Sequence, residues 1–106
     1  MPLIVQKYGG TSVANVERIV AVSEKIVRTA SSGSQVIVVA SAMSGETNRL
    51  IELASNFTNS KGLQSDALLS TGEQVTISLL SMALEKKGFK AAPLNGWQIP
   101  LETDNS

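Results

Sequence analysis

The sequence predicts an α/β fold, layered, with a mainly parallel sheet joined by right-handed crossovers. Three observations predict it. Two short apolar runs, Leu3-Ile4-Val5 and Gln35-Val36-Ile37-Val38-Val39-Ala40, have strand length, and the second is rich in β-branched residues. Apolar residues recur at helical spacing between and after them. Each run ends in a polar, glycine-containing turn, Lys7-Tyr8-Gly9-Gly10-Thr11-Ser12 after the first and Ser41-Ala42-Met43-Ser44-Gly45-Glu46 after the second. At 106 residues the chain holds one domain with a core and is too short for two.

The elements follow in order. After the first strand, Val16, Ile19, Val20, Ser23, Ile26, Val27 and Ala30 form one stripe, with Glu17, Arg18, Glu24, Lys25 and Arg28 around the other side, the pattern of an amphipathic helix lying on a sheet. Thr11 and Ser12 are its candidate caps. Ser31-Ser32-Gly33-Ser34 ends it, and the strand that follows is apolar on both faces, as suits a central parallel strand. Leu50, Ile51, Leu53, Ala54 and Phe57 predict a second helix, broken by Asn56 to Gly62. A short helical stretch from about Leu63 to Leu69 leads to Ser70-Thr71-Gly72-Glu73, and from there to Lys87 runs the most apolar helix, with Gly88 as its stop. Phe89 to Leu94 reads as a third strand, weakened by Pro93, with Asn95-Gly96 as a turn and a further extended piece from Trp97 to Leu101.

Composition removes several function classes. Nine acidic and nine basic side chains leave no basic field for nucleic acid, and the four aromatics, Tyr8, Phe57, Phe89 and Trp97, are scattered rather than arranged as a stacking platform. Without cysteine or histidine there is no disulfide, thiolate metal site or histidine general base. The amino terminus lacks a signal-peptide pattern and no stretch reads as a membrane span, so a cytoplasmic protein is expected.

In parallel α/β sheets ligands bind beyond the carboxyl ends of the strands. Lys7 to Ser12, Ser41 to Thr47 and Asn95-Gly96 all fall there and are expected to converge. Glycines let a ligand approach backbone N–H groups, a helix start attracts anions, and Lys7 adds a positive charge, so the first loop suits a phosphate. It is neither a P-loop, whose lysine follows the glycines, nor a dinucleotide fingerprint. The plainer reading is a strand-to-helix turn with Lys7 in solvent. Ser70 and Glu73 likewise fit two readings: a capping box at a helix start, or a carboxylate turned into the crevice toward a substrate ammonium group. Ser44, with Thr47 and Asn48, is either a cap of the second helix or part of that crevice.

Val5-Gln6-Lys7-Tyr8-Gly9-Gly10-Thr11-Ser12-Val13 resembles the opening signature of the aspartate kinases, the aspartokinases. The likeness continues, in the family's order and spacing, through Val38 to Asn48 and Leu69-Ser70-Thr71-Gly72-Glu73-Gln74, and Gly96-Trp97-Gln98 resembles the segment after the third strand. The resemblance implies the amino-acid-kinase, carbamate-kinase-like fold, a three-layer α/β/α sandwich, here incomplete at the carboxyl end. It implies transfer of the γ-phosphoryl of ATP to the side-chain carboxylate of L-aspartate, the first committed step toward lysine, threonine and methionine. Lys7 would hold the transferring phosphate as the catalytic residue, with Tyr8, Gly9, Gly10 and Ser12 on the ATP-phosphate side. Ser41, Thr47 and Glu73 would bind aspartate. ATP would arrive with magnesium, for which no protein ligand is identified. Whole aspartokinases are several times longer, so residues 1–106 would be the amino-terminal part of the kinase domain, without the nucleotide lobe and regulatory domains, and inactive or nearly so alone. A homo-oligomer is expected, with no nucleic acid or membrane partner. Two other readings stand beside this one: another amino-acid or carbamate kinase of the same fold, and a non-catalytic association module that dimerises through open sheet edges.

Overall fold

A computed structural model describes residues 2–59 and 62–93. Its elements are β1 (Leu3–Tyr8), α1 (Val16–Ser31), β2 (Gln35–Ala40), α2 (Glu46–Ala54) and α3 (Leu63–Lys86). β1 and β2 pair in parallel, from Leu3 opposite Gln35 to Tyr8 opposite Ala40. One face of this pair is covered by α1 and α3, and α2 packs on α3. The described residues thus hold the sheet and one helical layer of the α/β sandwich.

The period-two alternation of a strand sorts the two faces. Tyr8, Val36, Val38 and Ala40 turn toward the helices and join Val13, Ile19, Val22, Ile26, Leu80 and Leu84 in one core. Leu3, Val5, Ile37 and Val39 turn the other way and remain 59%, 57%, 49% and 47% exposed. The expectation that β2 is buried on both faces therefore holds for one of them among the described residues.

On α1 the buried set is Ile19, Val22, Ser23 and Ile26, with Val16 and Val20 exposed, so the contact stripe is narrower than predicted and shifted to include Val22. Its cap is Asn15, whose side-chain oxygen accepts the Arg18 N–H at 2.9 Å, and not Thr11 or Ser12. Those two residues lie in a turn in which the Ser12 N–H bonds to the Gly9 carbonyl, so the chain is still turning before helical geometry begins.

The largest correction concerns the stretch from Leu63 to Lys86, which is one helix of 24 residues rather than two. Ser70 does not start a helix; its hydroxyl donates to the Ala67 carbonyl at 2.8 Å, in mid-helix, and the capping-box reading of Ser70 and Glu73 falls with it. Serine and glycine oppose helix only by their propensity, and packing against α1 and α2 overrides that preference. A helix this long and apolar meets the length and composition of a membrane span, contrary to the sequence reading. Here it packs on α1, α2 and β2 through a face that includes Gly72, Thr76, Leu80 and Leu84, while Val75 and Met82 stay exposed.

α2 ends at Ala54, earlier than predicted, leaving Phe57 exposed. At the end of α3, Gly88 adopts φ 89°, a left-handed conformation that glycine tolerates without strain. The Gly88 N–H then bonds to the Glu85 carbonyl and the Phe89 N–H to the Leu84 carbonyl, which folds the Phe89 side chain back onto the core. No strand forms over Phe89 to Pro93, because the Phe89 N–H is already committed to the helix end and Pro93 has none to give. Leu94, the Asn95-Gly96 turn and the Trp97 to Leu101 piece lie outside the described residues.

Candidate functional site

The two strands finish level. Tyr8 is opposite Ala40, and the next residue, Ser41, donates its N–H to the Tyr8 carbonyl at 3.0 Å. The loops that follow, Gly9 to Val13 and Ser41 to Gly45, therefore leave the same edge side by side, as the topology predicted for two of the three polar segments. The third, Asn95-Gly96, lies outside the described residues.

The first loop is a tight turn closed by Ser12 N–H to Gly9 at 3.0 Å and Val13 N–H to Gly10 at 3.3 Å, and pinned from below by the fully buried Val13. Neither Gly9 nor Gly10 has a positive φ, so their value is not unusual backbone conformation. At Gly9 an added Cβ would meet nothing within 4 Å, leaving its backbone open to an approaching ligand. At Gly10 an added Cβ would lie 3.2 Å from the Ala42 carbonyl oxygen, so the missing side chain lets the two loops touch.

Lys7 is exposed on the open face beside Val39, its register partner, and among the described residues it makes no ion pair. Tyr8 points the opposite way. Its hydroxyl donates to Gln6 Oε1 at 2.9 Å, and Gln6 Nε2 donates to Thr29 Oγ1 at 3.0 Å, tying β1 to α1. Burial raises the Tyr8 phenol above its ordinary pKa, with nearby Arg28 acting in the opposite sense. What Tyr8 can offer at the strand end is its backbone. Ser12 is exposed at the rim of the turn.

On the second loop Ser41 is exposed directly after β2, and Thr47 is exposed in the first turn of α2. The N-cap of α2 is Gly45, at φ 85°, with no side-chain cap bond, so Ser44 does not cap this helix. Glu46 is engaged by Arg49, with Nη2 to Oε1 at 3.0 Å. Glu73 is exposed on α3 and, among the described residues, has no ion-pair partner. It follows Gly72, where an added Cβ would lie 2.9 Å from the Ala42 Cβ, so the helix that carries Glu73 rests directly on the second loop.

Lys7, the open backbone at Gly9, and the hydroxyls of Ser12, Ser41 and Thr47 make an edge suited to an anion. Among the described residues there is no grouping of three acidic, histidine or cysteine side chains to hold a metal ion. Two features of the site were absent from the sequence reading: the burial of Ala42 between the loop and helix, and the intrahelical place of Gly72. A glycine inside an otherwise apolar helix was the available signal, since such a glycine often marks close packing.

Known proteins resemble this chain along its length. Residues 2–105 match the model of the amino acid kinase family. The chain is 53% identical over 107 residues to an aspartokinase of Pseudomonas aeruginosa and 52% identical over 107 residues to an aspartate kinase of Pseudomonas putida. Both alignments cover 100% of this chain and 26% of the relative, so the chain spans about a quarter of the length of these curated relatives. The crystal structure of aspartate kinase from Synechocystis superposes with a TM-score of 0.74 at 50% identity, covering 80% of this chain and 15% of that one. With the family's model matched over nearly its whole length and aspartokinases aligned along all of it, the chain belongs to the amino acid kinase family.

Proposed function

We propose that these residues are the amino-terminal part of an aspartokinase catalytic domain and carry one side of its active site. The observation that carries this reading is the level ending of β1 and β2, which sets the Lys7 to Ser12 loop against the Ser41 to Thr47 loop, with the Glu73 helix packed on the latter. In the reaction a side-chain carboxylate oxygen of aspartate bonds to the γ-phosphorus of ATP, the bond to the bridging oxygen breaks, and ADP leaves. The acceptor is ionised near neutral pH, so no general base is needed, and a chain without histidine or cysteine is compatible with it.

Lys7 neutralises charge on the transferring phosphoryl group, and the Gly9 and Gly10 backbone and Ser12 shape the turn that receives it. Ser41 and Thr47 hold aspartate through their hydroxyls, and Glu73 takes its ammonium group. The cationic and hydroxyl character of this edge fits phosphates, and no described side-chain grouping fits magnesium; an ion arriving with ATP would add charge neutralisation. The setting is cytoplasmic.

The test is an ATP and aspartate phosphorylation assay on the 106-residue chain beside the complete gene product. The complete product is expected to form the acyl phosphate and the short chain to be inactive or nearly so. Activity in the short chain would overturn the fragment reading, and a complete product that ignores aspartate would overturn the aspartokinase reading. The open apolar face of the sheet favours one addition. Parallel sheets are ordinarily covered on both faces, so the isolated chain self-associates through Leu3, Val5, Ile37 and Val39. Sedimentation as a well-behaved monomer would count against that.

A further inference from the structure

Three segments meet at Ala42, a residue only 4% exposed. On one side the Gly10 turn lies so close that a Cβ there would stand 3.2 Å from the Ala42 carbonyl oxygen. On the other, a Cβ on Gly72 of α3 would stand 2.9 Å from the Ala42 Cβ and 3.3 Å from Leu50 Cδ1. The first of these distances is shorter than packed carbons tolerate, and the atom it meets is fixed to the backbone rather than at the end of a flexible side chain. Gly72 is itself buried, and its carbonyl accepts the hydroxyl of the fully buried Thr76 at 3.4 Å, one turn further along the same helix.

We infer that Gly72 is a positioning residue: its bare backbone lets α3 seat on Ala42 and thereby sets where Glu73 stands relative to Ser41 and Thr47. This rests on the aspartokinase reading. A second loop that retreated from a side chain at position 72 would disturb its close approach to Gly10, which resists that movement. The helix moves instead, and Glu73, the next residue, moves with it. Gly10 and Gly72 act as a pair of flat surfaces around one alanine, linking the phosphate turn to the acceptor side of the site.

The test is a size exchange in the complete gene product, with Gly72→Ala, Ala42→Gly and the double substitution compared by steady-state kinetics and thermal midpoint. A misplacement of about 1 Å near a reacting centre costs up to roughly a hundredfold, so Gly72→Ala is expected to raise the aspartate KM about tenfold while the ATP KM stays within about twofold. Adding Ala42→Gly removes the colliding methyl and returns the aspartate KM to within about threefold of the unsubstituted enzyme. Unchanged kinetics in Gly72→Ala, equal rises in both KM values, or no restoration in the double variant would overturn the positioning role. If Gly72→Ala fails to fold, a folded double variant with a normal aspartate KM supports the inference and an unfolded one overturns it. Absence of aspartate phosphorylation by the unsubstituted protein overturns the aspartokinase reading and this role with it, whereas failed restoration in an active enzyme overturns this role alone.

Discussion

The two ends of the β1–β2 ladder's environment differ in kind. Beneath the sheet, apolar side chains from α1 and α3 close on Val36, Val38 and Ala40, and the two fully buried polar side chains among the described residues, Ser23 and Thr76, return their hydroxyls to carbonyls of their own helices. Lys7, Ser12 and Ser41 at the strand ends are exposed, as are Thr47 on α2 and Glu73 on α3. The interior satisfies itself and the rim does not. Stability and chemistry are therefore assigned to different residues, and substitutions should separate them.

Leu80→Ala should have the largest effect, a loss of about 2–5 kcal/mol, because it opens a cavity between α3 and the rest of the core; a urea midpoint within experimental scatter of the unsubstituted chain would break the contrast. Lys7→Ala in the complete gene product should lower kcat by about 10²–10³-fold, roughly the effect of removing one oriented charge stabiliser, with an unchanged thermal midpoint. Glu73→Gln should raise the aspartate KM about tenfold, or about 1.4 kcal/mol, and leave the ATP KM nearly alone; unchanged aspartate kinetics would remove Glu73 from the acceptor side. Asn15→Ala should cost about 1 kcal/mol by removing the cap of α1, measured by thermal unfolding of the 106-residue chain. Val39→Thr, on the open face, should change the stability of that chain by less than about 0.5 kcal/mol at concentrations too low for self-association while weakening the self-association itself in sedimentation, and a larger loss at low concentration would mean that this face is packed within the single chain.

The residues that made the fold readable were those with strong local periodicity. Gln35–Ala40 has the boundaries its β-branched run predicts, and α1 begins at Val16 as its stripe predicts. The loops carrying Lys7 and Ser41 were readable because parallel strands deliver their following turns to one edge. The errors arose where nonlocal packing decides. Ser70-Thr71-Gly72 looks like a helix boundary by propensity, and only the presence of Ala42 and Leu50 opposite Gly72 explains why a glycine sits inside a continuous helix. Thr11, Ser12 and Asn15 are all good cap residues, and the sequence does not say how long the chain keeps turning before Asn15 caps α1. Phe89 looked like the start of a strand, but the helix end claims its N–H first.

The residue-for-residue match of β1 with β2 also decides where the chain tolerates changes in length. An inserted residue at Ser32 to Ser34 lengthens a surface connection, at a modest entropic cost. The same insertion within Gln35–Ala40 exchanges the faces of every residue beyond it, sending an apolar core position into solvent and displacing Ser41 from the Tyr8 carbonyl. Length variation among such chains should therefore collect between the elements, while the strand spacing leading to Tyr8 and Ser41 stays constant, since the phase of the ladder and the placement of the two loops are one constraint.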